Sequence, residues 1–292
     1  MRESVRKTYP NARLESLANG TILVQYGPMR MLISAFDNGI PLVDLAREGA
    51  HLAMKVLDDM AKFLPVIKRK AQEVEVEEIF PDVVRRMIEA TQKMEEPDLT
   101  PLAAVAGAAS DVVADFMISQ GGSKIIVDNG GDIAIRLRKG EVTRVGMKTH
   151  IEATHPAYII SFDSSIGIGG VATSGLGGRS FTKGIASAAT VLAESASLSD
   201  AAATVIGNFT NVMDRNIMRC LAEKIYPDTD IAGEWVTTRV GRLTDEKIQE
   251  ALKNGLSKAY SIWQKGLIQA ALIAVKGKVA WTSSLDPWVT KL

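Results

Sequence analysis

Two stretches in the middle of the chain, "TPLAAVAGAASDVVADF" (100–116) and "IASAATVLAESASLSDAAATVIGN" (185–208), are built largely of alanine, glycine, serine and valine. Helices with side chains this small pack closely on a sheet or on each other, because little stands between their backbones. Aromatic residues make up only 5% of the 292 residues, against 46% hydrophobic overall. The core must therefore come from Ala, Val, Ile, Leu and Met.

Periodicity supplies the remaining elements. "TILVQYGPMRMLISA" alternates about a turn and reads as two strands. "VDLAREGAHLAMKVLDDMAKFLPVIK" has helical spacing closed by Pro65, and a second helix starts near Asp82. A small-residue helix from Leu102 ends at Gly121-Gly122. "SKIIVDNGGDIAIRL" reads as strand, glycine turn and strand, and "HPAYIISF" and "AATVLAES" as further strands. "DRNIMRCLAEKI" and "DEKIQEALKNGLSKAYSIWQKGL" read as helices, and the chain closes with strand "QAALIAVKGKVAWTSSL" around a Lys276-Gly277-Lys278 turn. No repeat and no clean linker emerge, so the expectation is one α+β domain of layered sheet and helices.

Lys plus Arg equals Asp plus Glu at 34 each, so no global field favours nucleic acid. Cys220 stands alone, which excludes an intramolecular disulfide or a cysteine metal cluster and fits a reducing cytoplasm. The N-terminus lacks an apolar signal core, and no uninterrupted run of eighteen apolar residues occurs, so no membrane span is expected.

Three segments carry candidate chemistry. Asn129-Gly130-Gly131-Asp132 has the composition of a tight hairpin turn, Asn129 and Gly130 both tolerating positive φ. Bare backbone there also lets a ligand approach, with Asp128 and Asp132 beside it. The loop "VATSGLGGRSFTKG" combines Thr173, Ser174, Gly175, Gly177, Gly178, Arg179, Ser180 and Lys183. Free N–H groups with two cations make a nest for phosphate or carboxylate, although a plain surface loop has the same composition. Its spacing matches neither the Walker nor the dinucleotide pattern, and no GxSxG elbow occurs. Ser174 has no base beside it in sequence. In "SLSDAAATVIGN", Asp200 and Thr204 lie four apart on one helix face. They suit a hard cation such as Mg2+, or Asp200 is a cap or first-turn acid. His51 reads as a surface or packing residue, and His150 and His155 as candidate proton carriers.

Taken in order, "TPLAAVAGAASDVVADF", "IIVDNGGDIAIRL", "GVATSGLGGRSFTKGIASAATVL" and "SLSDAAATVIGN" resemble the UPF0280 family of the ApbE-like superfamily, named for the FAD:protein FMN transferase. The resemblance runs from about residue 8 to 285, strongest over 99–211 and weak in a variable, helical 212–265. It implies an ApbE-like, T-fold-like α+β domain with flavin nucleotide and Mg2+ at the site. It implies Asp200 and Thr204 as metal ligands, with a main-chain carbonyl near Val105 to Gly107. Polarisation of a pyrophosphate there would let a protein threonine attack and AMP leave.

The sequence departs from the pattern in two places. Ala106 stands where the transferases have lysine, and "RSFTKG" replaces their His-x-x-Asp-Pro. Within UPF0280, Arg179 and Ser187 fall where histidine and aspartate are usual. The expectation is a small-molecule enzyme acting on an anionic, nucleotide-like or heterocyclic ligand, by Mg-assisted phosphoester or pyrophosphate chemistry or small-amide hydrolysis. Catalysis is assigned to Ser174, Arg179 and Lys183. Ligand binding is assigned to Thr173, Gly175, Gly177, Gly178, Ser180, Asn129, Gly130, Gly131 and Asp132, and metal to Asp200 and Thr204. The alternative is a non-catalytic binding or complex-subunit protein. A symmetric homodimer is the default assembly.

Overall fold

A computed structural model describes residues 12–150 and 153–292. The chain opens with a meander of β1 (Arg13–Ser16), β2 (Ile22–Tyr26) and β3 (Met29–Asp37), and β4 (Ile40–Pro41) folds back on β3. Helices α1 (Val43–Ala61), α2 (Leu64–Ile67), α3 (Asp82–Gln92) and α4 (Val105–Ser119) follow. The hairpin β5 (Lys124–Asp128) and β6 (Ile133–Leu137) comes next, then β7 (Val142–Met147), β8 (Tyr158–Asp163), β9 (Gly170–Ser174), β10 (Ala188–Ala193) and α5 (Ala196–Phe209). The last third holds β11 (Ile217–Leu221), α6 (Ala222–Ile225), β12 (Trp235–Val240), α7 (Asp245–Gln264), β13 (Ala270–Val275), β14 (Lys278–Trp281) and β15 (Val289–Lys291).

One antiparallel sheet runs β1-β2-β3-β5-β6-β9-β10-β13-β14. Period-2 alternation decides what each face meets. Ala189, Val191 and Ala193 of β10, with Ala271, Ile273 and Val275 of β13, pack on α5 and α7. Leu192, Ala270 and Leu272 point the other way, onto the small sheet β15-β8-β7. With both faces covered, β10 and β13 are buried along their whole length, which is why they read as unbroken apolar runs. The first half of the sheet buries Met31, Ile33, Ile125 and Val127 under α1, α3 and α4.

Segment Pro101–Ser119 is long and apolar enough by composition to cross a bilayer, with a mean hydropathy of 1.5. In this fold it is the core helix between α1, α5 and the sheet, half of it buried. Its interruptions, Ser110, Asp111 and Asp115, all have partners within the protein.

Four sequence expectations are corrected. "DRNIMRCLAEKI" is not a helix but strand β11 followed by the single turn α6, because β11 pairs with β12, whose Val236 is fully buried. The 212–265 segment is thus mixed rather than helical. "VATS" is strand, held between β6 and β10, and the loop begins only after Ser174. Pro65 does not close α1; it sits in the first turn of α2, where its missing N–H costs nothing. The closing segment has the turn expected at Lys276-Gly277-Lys278: it is the hairpin of β13 and β14, with Lys276 and Gly277 both at positive φ.

Candidate functional site

Helices α4 and α5 begin side by side, and each lacks part of what its first turn needs. The first N–H groups of a helix have no intrahelical acceptor, and α4 has no side-chain cap of its own. Asp200 of α5 supplies one: Gly107 N donates to its Oδ2 at 3.0 Å, and the Ala106 N–H donates to the same carboxyl. Asp111 of α4 returns the arrangement, accepting from Ala196 N at 3.0 Å and Ser197 N at 2.8 Å. The two helices thus cap each other. Asp200 is not a cap of its own helix, as one sequence reading had it; Ser195 holds that position and accepts from Leu198 N.

Close approach makes this possible. A Cβ at Gly107 would fall inside van der Waals range of the Ala196 main chain and 2.8 Å from Ser197 N. Behind the junction, Arg136 of β6 donates to Asp111 at 2.9 Å and to Asp115 at 2.6 Å. Burial works against the charge of Arg136, yet Asp111 and Asp115 hold its pKa above the ordinary value.

A cavity of about 320 Å³ opens above these helix starts. Met29, Leu57, Met60, Val105 and Ala109 form one apolar side. Asp200 and Thr204 rise from α5, Asn129, Gly130 and Asp132 from the β5–β6 turn, and Thr173, Ser174, Gly175, Gly178, Arg179 and Ser180 from β9 and its loop. Eleven of the fourteen residues singled out from the sequence line this one cavity. Gly131 and Gly177 line neighbouring hollows instead. Lys183 stands apart, in a groove leading away from the cavity, ion-paired to Asp98 and to Glu234.

The turn differs in detail from the Asn-Gly expectation. Gly130 and Gly131 take the positive φ values, 75° and 108°, while Asn129 does not. Gly131 N donates to Asp128 Oδ1 at 2.7 Å, and Asn129 N to the Asp132 carbonyl at 3.1 Å. Arg179 lies across the turn. A Cβ on Gly130 would meet its guanidinium, whose Nη1 donates to the Pro28 carbonyl at 3.0 Å. Ser110 ties the turn to α4, donating to both the Asp132 and the Ala106 carbonyls at 3.0 Å.

Two carboxyls dominate the electrostatics. Burial pushes Asp200 up to about 7; the Gly107 and Ala106 amides oppose the shift and the Asp111 charge adds to it. Asp132 is also held well above the carboxylate range, by burial first and then by the Asp200 charge. The Thr173 amide and Arg179 act against that shift, and Asp128 acts with it.

No histidine lines the cavity. His51 and His155 are exposed, the former as expected, and His150 borders a different hollow. Among the described residues no three His, Cys, Asp or Glu side chains form a metal cluster. Sequence reading missed Asp111 and the apolar side of the cavity. An acid inside the apolar run "AVAGAASDVVAD" was the available signal for Asp111.

The fold and the cavity together define an ApbE-like α+β protein. The structure of a mutant of the flavin transferase ApbE from Vibrio cholerae is similar, with a TM-score of 0.50 at 15% identity, covering 89% of this chain and 96% of that one. By sequence, the chain belongs to the family described as AbpE bacteria, whose model matches residues 14–281. A UPF0280 protein of Methanosarcina barkeri is 35% identical over 179 residues, 61% of this chain and 68% of the relative. A UPF0280 protein of Methanococcus aeolicus is 32% identical over 220 residues, 70% of this chain and 84% of the relative.

Proposed function

We propose that this protein is a small-molecule enzyme that binds a phosphate-bearing, ring-containing ligand beside a divalent cation. One observation carries the reading. Asp200, Thr204 and Asp132 present oxygen donors to a single cavity whose mouth carries Arg179 and whose opposite side is apolar. All-oxygen donors suit a hard cation such as Mg2+. The raised pKa values of both carboxyls mark negative charge that the protein leaves poorly compensated, which a cation would offset.

Asp200 and Thr204 would hold the cation, with the Ala106 carbonyl beside them at the start of α4. Bound there, it would supply polarisation of a phosphoryl oxygen. The protein's own groups do the rest. Arg179 and the bare backbone of Gly175 and Gly178 bind phosphate. Met29, Leu57 and Met60 take the ring and exclude water. Asp132, on the β5–β6 turn, faces the same cavity as a further oxygen donor. Ser174 and the Thr173 amide orient the ligand. Ala106 in the lysine position, and Arg179 to Gly184 in place of His-x-x-Asp-Pro, favour nucleotide phosphate chemistry over flavin transfer to a protein.

Calorimetric titration with ADP, FMN and FAD, with and without MgCl2, tests the reading. Mg-dependent binding that Asp200→Asn abolishes and Arg179→Ala weakens about tenfold is expected. Binding indifferent to Mg2+ and to both substitutions sinks it. A second reading, binding without turnover, is favoured by Lys183, whose ammonium is committed to Asp98 and Glu234. Release of AMP or phosphate from a saturating ligand separates the two.

A further inference from the structure

The face of the large sheet turned away from the helices carries a second chamber, of about 400 Å³, in the mouth between this sheet and β7. Its floor follows from strand register. Leu32 pairs with Asp128, Asp128 with Ile133, and Ile133 with Val171, so this row shares one face across four strands. Val145 and Met147 of β7 close the apolar side. On the floor Thr173 and Thr190 hydrogen-bond to each other at 2.9 Å.

The charge at the rim is one-sided. Arg30, Lys148 and His150 border the chamber, and Asp128 is its only acid among the described residues. An adjoining hollow of about 390 Å³ shares His150, Leu176 and Ser187 with it, adds Arg239 and Lys276, and has no acid among the described residues. Four Lys and Arg side chains against one acid among the described residues is a local excess in a chain whose formal net charge is +0. Neither Arg30 nor Lys148 has a carboxylate partner among the described residues. The first cavity has the opposite character, two acids and one cation. Only the backbone-rich turn and loop, at Gly130, Thr173, Ser174, Gly175 and Gly178, separate the two spaces.

We infer that this chamber is a second ligand site, for an organic anion with an apolar body and a carboxylate or phosphate head. The body lies on Ile133, Val145, Met147 and Val171, and the head meets Arg30 and Lys148. A concave apolar site with a few polar groups at its edge is the usual form of a small-molecule pocket. The inference stands on this chamber's own walls and charges and does not require that the first cavity bind a nucleotide.

Fluorescence and calorimetric titration of the full chain with 2-naphthoate, naphthyl phosphate and the neutral 2-naphthalenemethanol test it. Saturable one-site binding of both anions, about tenfold tighter than the alcohol, is expected. Comparing the two anions tells which head group the rim prefers. The double variant Arg30→Gln/Lys148→Gln, which alters exposed side chains only, should remove that preference, while Asp200→Asn should leave it intact. Equal affinity for the alcohol and the anions would overturn the inference. So would an unchanged preference in the double variant, or binding lost only in Asp200→Asn, which would place the probe in the first cavity.

Discussion

Replacing Asp200 by asparagine keeps a hydrogen-bond acceptor for the Gly107 amide but removes the charge. The carboxyl has a reference value of 3.8 and rises to about 7 in the folded protein. Between these values the unfolded chain has lost its proton while the folded one keeps it. The folded state therefore binds more protons, and stability falls as pH rises through this window, then levels off above about 7. From pH 5 to pH 7 the loss is roughly 3 kcal/mol, at about 1.4 kcal/mol per unit. Asp132 shifts in the same direction and adds to the slope. Urea unfolding at pH 5 and pH 8 measures it. The wild-type protein should lose about 3 kcal/mol more across that range than Asp200→Asn does. Saturating MgCl2 at pH 8 should restore stability to the wild type alone, because a ligand that binds only the folded state stabilises it. Parallel pH profiles for the two proteins would refute the assignment of a poorly compensated buried carboxylate at this position.

Other consequences follow from the same junction. Asp111→Ala leaves Arg136 buried with one partner fewer and strips two amides of their acceptor, so a loss of about 3–5 kcal/mol in denaturant unfolding is expected. Gly107→Ala forces a methyl against the Ala196 backbone and should destabilise by roughly 1–3 kcal/mol, with weaker Mg2+ binding in the same preparation. Arg179→Ala changes an exposed residue; unfolding should shift by no more than about 0.5 kcal/mol while phosphate-ligand affinity measured by calorimetry drops. Lys183→Met should weaken that affinity less than Arg179→Ala does, since the Lys183 ammonium is already paired.

The sequence carried most of this site because its chemistry is local. Asp200 and Thr204 share a helix face by spacing alone, and glycines at 130 and 131 announce a turn whose φ values only they adopt easily. What escaped depends on partners distant in the chain. "NIMRCL" has no intrinsic reason to be a strand; pairing with residues 235–240 makes it one. Strand β7 likewise exists through its pairing with β8 and went unread. Lys183 looked like a ligand group from its neighbours in the loop, but Asp98 and Glu234, far off in sequence, claim its charge. The second chamber lies between two sheets and has no contiguous motif to read.

The mutual capping of α4 and α5 brings the positive ends of two helix dipoles to one place. Such ends repel each other, and Asp111 and Asp200 supply the acceptors that their free amides need where they meet. A hydrogen-bond acceptor at position 200 thus serves the start of α4, whether or not the protein performs any reaction. Asp132 and Thr204 cap neither helix start, so substituting them probes the cavity while leaving this junction's hydrogen bonds in place.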